Sequence, residues 1–121
     1  MRKAMIAALM LALVPGSAQA MSVAEFLAKA NALKARGILA MGSPDIKLLR
    51  TEMEGVSTAY RADLDPARKA GRAPHSCPPP KGKAKIGGKE LMAEFEAIPA
   101  AQRGMSVKSA FYAMMKKRFP C

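Results

Sequence analysis

The sequence contains 121 residues and carries a formal net charge of +11, with 20 Lys and Arg against 9 Asp and Glu. This length is enough for one small domain and excludes a two-domain architecture. Aromatic residues make up only 5% of the chain and Trp is absent, which argues against platforms on which nucleic-acid bases stack.

The first twenty residues have the pattern of a cleavable export signal. Arg2 and Lys3 form a positive n-region, and residues 4–14 are an uncharged apolar run of eleven residues. This run is too short to cross a bilayer as a helix, and Ala18 and Ala20 provide the small side chains that a signal peptidase requires. An amphipathic or buried N-terminal helix is the alternative. We expect a signal peptide over residues 1–20, cleaved after Ala20, and a periplasmic domain over residues 21–121.

The charge of the mature domain restricts its partners. Removal of Arg2 and Lys3 lowers the net charge from +11 to +9, which in a cytosolic protein would suggest nucleic acid. In an exported protein the expected partners are instead an acidic protein surface, anionic lipid or cell-wall polymer, so we predict no nucleic-acid partner. No second apolar segment is long enough for a transmembrane helix, so we predict no stable membrane insertion after signal cleavage.

The first predicted helix begins at Ser22 and ends at Gly37. Ser22 and Glu25 match a capping box, while Met21 and Phe26 match a hydrophobic staple. Apolar residues then recur at helical spacing, and glycine is a typical helix terminator. The apolar segment 38–41 is predicted to be a short connector, with one more helical turn as the alternative.

A second helix is predicted to begin with Ser43 as its cap and Pro44 at its first position. Its apolar stripe comprises Ile46, Leu49, Met53, Val56, Tyr60 and Leu64. Pro66 is expected to kink or end this helix near Asp65, because the residue before a proline avoids the helical region.

Residues 71–88 are dense in Pro and Gly and are predicted to form an irregular loop. Two further helices follow in the prediction: a short one that ends at Pro99, and a final one that Ser106 caps and Pro120 stops. Strand-like alternation does not stand out anywhere. The predicted fold class is therefore all-α, a small bundle of about four helices with one disulfide.

The chain contains two cysteines, Cys77 and Cys121. An even pair in an oxidising compartment is most simply a disulfide, and a closed loop of about 45 residues is worth roughly 4 kcal/mol in the chain-entropy model. Two free thiols or a metal site are the alternatives. The metal site is disfavoured because His75 is the only histidine. We predict no metal and no cofactor.

Lysines of the irregular loop are the candidate partner-binding residues. They either dock into an acidic cleft or only keep the protein soluble. These residues are Lys81, Lys83, Lys85 and Lys89. Catalysis is disfavoured, because His75 is the only histidine available as a base and is expected to be a loop residue without a role. The glutamates of the predicted helices are expected to face solvent. We predict that the protein is not an enzyme.

The C-terminal part combines Cys77-Pro78-Pro79, a helix over residues 89–97 followed by Ile98-Pro99, a helix over residues 107–118, and a terminal Phe119-Pro120-Cys121. In these features it resembles the Tai/Rap-type immunity proteins, which protect bacteria from type VI secretion amidase effectors in the periplasm. The resemblance covers about the last 45 residues well and the helix over residues 46–60 more loosely. It departs from the family at Ile98-Pro99, where the family usually has His-Pro.

The resemblance implies a helical bundle in which Cys77 is bonded to Cys121, and a non-catalytic role. Such proteins bind a cognate peptidoglycan amidase and occlude its active-site groove. We therefore predict a periplasmic immunity-type protein whose basic loop faces an acidic cleft of a cell-wall amidase. The alternative is a non-catalytic cationic envelope protein that binds anionic lipid or cell-wall polymer by charge alone. A homodimer is compatible with the sequence.

Overall fold

Four α-helices form the domain over residues 20–121, the part of the chain that the computed structural model describes. They are α1 (Val23–Arg36), α2 (Pro44–Lys69), α3 (Gly88–Glu96) and α4 (Val107–Arg118), with 3₁₀ turns at Gly37–Gly42 and Ala100–Gln102. The all-α prediction is confirmed. The predicted signal peptide lies outside the described residues, apart from Ala20.

The start of α1 is fixed by a side-chain cap and by backbone bonds to α4. The Ser22 hydroxyl accepts the Glu25 N–H at 3.1 Å, which is one of the two bonds of the predicted capping box. The Val23 N–H donates to the Met105 carbonyl, and the Val107 N–H donates to the Met21 carbonyl, each at 2.9 Å. These two bonds hold the N-terminal ends of the first and last helices side by side, although Val23 and Val107 are 84 positions apart in the sequence.

Helix α2 begins as predicted, with Ser43 accepting the Asp45 N–H at 3.3 Å and Pro44 in the first turn. Of the two predicted effects of Pro66, a kink or an end of the helix near Asp65, the end is wrong, because α2 continues through Lys69. A proline removes a single N–H donor. Near the end of a helix this loss is small, because the carbonyl that it leaves free belongs to the exposed Ala62, where water can replace the bond. Beyond the proline, its own carbonyl accepts the Ala70 N–H at 3.1 Å.

Aromatic contacts connect the helices through the core. Phe26 of α1 packs edge-on against Phe95 of α3, with ring centroids 5.4 Å apart, and Tyr60 of α2 packs edge-on against Phe111 of α4 at the same distance. Aliphatic and Met side chains fill the remaining space. The core comprises Met21, Val23, Phe26, Leu27, Leu49, Val56, Tyr60, Leu64, Leu91, Phe95, Val107, Ala110, Phe111, Met114 and Met115.

The predicted irregular loop between α2 and α3 is anchored to the C-terminus. Cys77 and Cys121 form a disulfide with their Cα atoms 4.9 Å apart, which confirms the predicted bond and replaces the alternatives of free thiols and a metal site. The Cys77 N–H also donates to the Phe119 carbonyl at 2.8 Å. The loop therefore leaves α2, meets the end of the chain at residue 77, and returns to begin α3.

Candidate functional site

An open groove of about 1070 Å³ lies between α2 and the loop that precedes α3. We call it the basic groove. Its apolar lining comes from α2, the loop, α3 and α4, and comprises Met53, Tyr60, Ile86, Leu91, Phe111 and Met115. Its polar side chains are Arg50, Ser57, Arg61, Lys81, Lys85 and Glu90. The groove thus joins surface side chains to the edge of the hydrophobic core.

The charge of the basic groove is strongly positive. Arg50, Arg61, Lys81 and Lys85 supply four cations, and Glu90 supplies the single carboxylate of the lining. That carboxylate accepts the Gly87 N–H at 3.0 Å, which places it at the start of α3. A carboxylate is favourable there, because the first N–H groups of a helix lack partners within the helix. The groove therefore presents a surplus of positive charge beside an apolar surface.

Arg61 joins the two walls of the groove. Its guanidinium donates to the Pro79 carbonyl at 2.9 Å and lies 5.8 Å from the centroid of the Tyr60 ring. Both contacts are of a kind that guanidinium groups favour. The arginine is half-buried, so it holds the polyproline segment of the loop against α2 and contributes charge to the lining.

The loop root, by which we mean residues 75–77, is held in place by a buried polar contact. Ser76 is 0% exposed, and its hydroxyl is hydrogen-bonded to the Tyr60 hydroxyl at 2.6 Å. Tyr60 is itself only 1% exposed. Because a buried hydroxyl without a partner is costly, this bond selects one position for the residue that precedes Cys77.

An aromatic and acidic cluster surrounds this root. The His75 ring stacks on Tyr112 with centroids 5.3 Å apart and an interplanar angle of 17°. The Tyr112 hydroxyl donates to Asp63 of α2 at 2.5 Å. Burial first, and then the hydrogen bond to Asp63, raise the pKa of the Tyr112 phenol above its ordinary value. The exposed His75 thus packs against α4, a contact that its sequence context did not predict.

The side-chain types of a catalytic triad occur close together at Ser76, His75 and Asp63, but the hydrogen bonds of a triad are not formed. The Ser76 hydroxyl is 3.1 Å from His75 Nδ1, but it is fully buried and therefore closed to a substrate. Asp63 is hydrogen-bonded to Tyr112, whereas a catalytic triad requires the acid to orient the histidine. The contacts of these three residues instead hold the loop root against α2 and α4.

The predicted lysines divide into two groups. Lys81 and Lys85 line the basic groove. Lys83 and Lys89 are exposed but are not among the lining residues. A turn at residues 80–83 separates Lys81 from Lys83: the Lys83 N–H donates to the Pro80 carbonyl at 2.9 Å, and Gly82 has a φ of 85°. A tight turn at this point separates neighbouring side chains.

Sequence reasoning missed the wall that α2 contributes. Arg50, Ser57 and Arg61 are spaced by seven and then four residues, a spacing that places them on one face of a helix. The signal was present as a cationic stripe beside the apolar stripe of α2. Nothing in the sequence indicated that the lysine loop folds back onto this face.

Two further observations limit the chemistry of the described residues. Within residues 20–121, no group of three or more His, Cys, Asp and Glu side chains is placed to hold a metal ion. In the same part of the chain, no helix has both the length and the apolar character needed to cross a membrane.

Comparison with known proteins gives no relative. The chain matches no family model, no curated protein and no solved structure.

Proposed function

We propose that the chain is an exported, non-catalytic binding protein of the immunity type, which inhibits a peptidoglycan amidase effector in the periplasm. The basic groove is the observation that carries this proposal. Its four cationic side chains surround an apolar lining, and one of its walls is a loop that a disulfide attaches to the chain end.

The lining indicates the chemistry of the partner surface. Four cations against one carboxylate favour an acidic segment, and the half-buried side chains of Met53 and Ile86 favour an apolar side chain within that segment. Charge complementarity of this kind accelerates association and excludes unsuitable partners more than it increases affinity. An acidic loop at the mouth of an enzyme cleft has these properties, and occupation of the groove by such a loop would close the cleft.

The identity of the partner rests on the C-terminal resemblance. Cys77-Pro78-Pro79 and Phe119-Pro120-Cys121 are the segments in which the chain resembles the Tai/Rap-type immunity proteins. They are also the segments that position the loop wall of the groove. The disulfide suits an oxidising compartment, which supports periplasmic action.

Co-expression tests the proposal. An amidase encoded beside this gene is directed to the periplasm of a host cell, with and without the full chain. We expect the chain to prevent lysis and to co-elute with the amidase in gel filtration. Equal lysis in both cultures, with no complex, would refute the immunity function.

Matched charge variants then test the groove. The variant Arg50→Ala/Lys81→Ala removes two cations of the lining, while Lys116→Ala/Lys117→Ala removes two exposed cations of α4 that do not line it. We expect the first variant to associate with the amidase at least about tenfold more slowly at low salt, and the second to behave like the wild type. Equal losses in both variants would instead indicate attraction by net charge, as the envelope-protein alternative requires.

A further inference from the structure

The 3₁₀ turn Gly37–Gly42, which joins α1 to α2, exposes large apolar side chains. Ile38 and Leu39 are each 81% exposed, and Met41 is 77% exposed. We call these three residues the apolar corner. Single exposed apolar residues are common on soluble proteins, but a cluster of three within four positions marks a surface that meets an apolar partner.

The backbone holds this corner in a defined conformation. Ala40, at the centre of the turn, is only 5% exposed, and its carbonyl accepts the Ser43 N–H at 2.9 Å. Gly37 has a φ of 59° and ends α1 with its N–H bonded to the Lys34 carbonyl. The buried alanine therefore anchors the turn, while its larger neighbours point outward.

Cations flank the apolar corner on both helices. Lys34 and Arg36 lie in the last turn of α1, and Lys47 and Arg50 lie near the start of α2. Asp45 is the only acidic residue between positions 33 and 50, and Lys29 lies 3.5 Å from its carboxylate. A second copy of the chain would bring two such cationic surroundings together, so this charge distribution disfavours self-association and favours an anionic apolar surface.

We propose that the apolar corner docks on the surface of an anionic phospholipid bilayer. Ile38, Leu39 and Met41 enter the boundary between headgroups and acyl chains, and the flanking Lys and Arg side chains meet the lipid phosphates. Peripheral proteins combine these two contributions in the same way. This mode of binding shares only Arg50 with the basic groove, and it differs from attraction by charge alone because apolar side chains enter the lipid.

Sedimentation with vesicles tests the proposal on protein purified from the periplasm after export of the full chain. The probe is an equimolar mixture of phosphatidylcholine and phosphatidylglycerol, compared with phosphatidylcholine alone. We expect Ile38→Ser/Leu39→Ser to lower the partition coefficient at least about tenfold. We expect Lys34→Gln/Lys47→Gln to lower it about tenfold or more on the anionic vesicles. Every variant carries the same N-terminus, so the differences report on the corner.

The absence of Trp from the sequence provides a direct reporter of insertion. In the variant Leu39→Trp, we expect the fluorescence to shift to the blue when anionic vesicles are added. Ala101→Trp, at an exposed position of the turn Ala100–Gln102, serves as the matched control and is expected not to shift.

Three results would overturn the proposal. The first is evidence of binding by charge alone. Either the Ile38→Ser/Leu39→Ser variant sediments as the wild type does, or wild-type binding is lost completely at about 1 M salt, where the Debye length is about 3 Å. The second is a Leu39→Trp spectrum that the vesicles leave unchanged. The third is a dimer in sedimentation velocity that the serine variant abolishes, without vesicle binding, which would make the corner a contact between copies.

Discussion

Removal of the disulfide is the perturbation whose effect can be worked out most directly. The double variant Cys77→Ser/Cys121→Ser keeps the backbone bond from the Cys77 position to the Phe119 carbonyl and the contact between Ser76 and Tyr60. The core residues are also unchanged. We therefore expect the variant to fold to the same helical bundle with a lower free energy of unfolding.

The magnitude follows from the length of chain that the bond closes. Cys77 and Cys121 are separated by 44 positions, and the chain-entropy model gives about 4 kcal/mol for a loop of this size. Domains of about one hundred residues have free energies of unfolding of about 5–15 kcal/mol, so the bond contributes a large share. Its effect acts mainly on the unfolded chain, which expands when the link is absent.

Urea denaturation followed by far-UV circular dichroism measures this loss. We expect a free energy of unfolding about 4 kcal/mol below that of the oxidised wild type, together with a larger m-value because the unlinked chain exposes more surface. Reductant serves as the control: it should lower the stability of the wild type and leave the double variant unchanged. A difference below about 1 kcal/mol would refute the reasoning that loop closure stabilises the domain.

Two further predictions concern the residues around the loop root. Ser76→Ala leaves the buried Tyr60 hydroxyl without its partner and should lower the free energy of unfolding by about 1–3 kcal/mol in the same urea assay. Adding Tyr60→Phe should recover part of this loss. A further loss in the double variant would contradict the pairing of the two hydroxyls. The raised pKa of Tyr112 means that the folded state holds the phenolic proton more tightly than the unfolded state does, and this tighter binding stabilises the fold. The contribution is complete below the unfolded pKa of about 10 and declines as the pH rises above it. Urea midpoints measured from pH 9 upward should therefore fall more steeply for the wild type than for Tyr112→Phe, and parallel curves would exclude this role for Tyr112.

Local signals in the sequence were sufficient to locate the helices. The caps at Ser22, Ser43 and Ser106 each accept a backbone N–H in the structure, because capping depends on residues three or fewer positions away. The disulfide could also be predicted, although its cysteines are 44 positions apart, because two cysteines allow only one pairing. The error at Pro66 arose because the rule for residues before proline describes an average preference, whereas the last turn of α2 is completed by bonds beyond the proline.

The candidate site could be predicted only in part, since it depends on contacts between distant segments. Lys81 and Lys85 were identified from the loop alone, but Arg61 joins the groove through a contact with Pro79, eighteen positions away. The Ser76–Tyr60 contact spans sixteen positions. Periodicity reports which face of a helix is apolar, and it contains no information on which loop covers the neighbouring face. The exposure of Ile38 and Leu39 was not predicted either, because the apolar composition of a connector does not show whether it packs or faces solvent.

The distribution of restraints along the loop bears on how the groove would bind. Three residues of the loop are fixed to two other parts of the chain. Ser76 and Pro79 are bonded to α2 through Tyr60 and Arg61, and Cys77 is bonded to the chain end through Cys121. The lysines beyond them are exposed. These contacts already order residues 76–79, so a partner that binds the loop does not have to order this part of the chain. A partner must then order only a few lysine side chains, each at a cost of about 0.5–1.5 kcal/mol. Reduction of the disulfide should consequently weaken binding to the amidase even under conditions where the domain stays folded, and an affinity unchanged by reduction would show that the tip alone determines recognition.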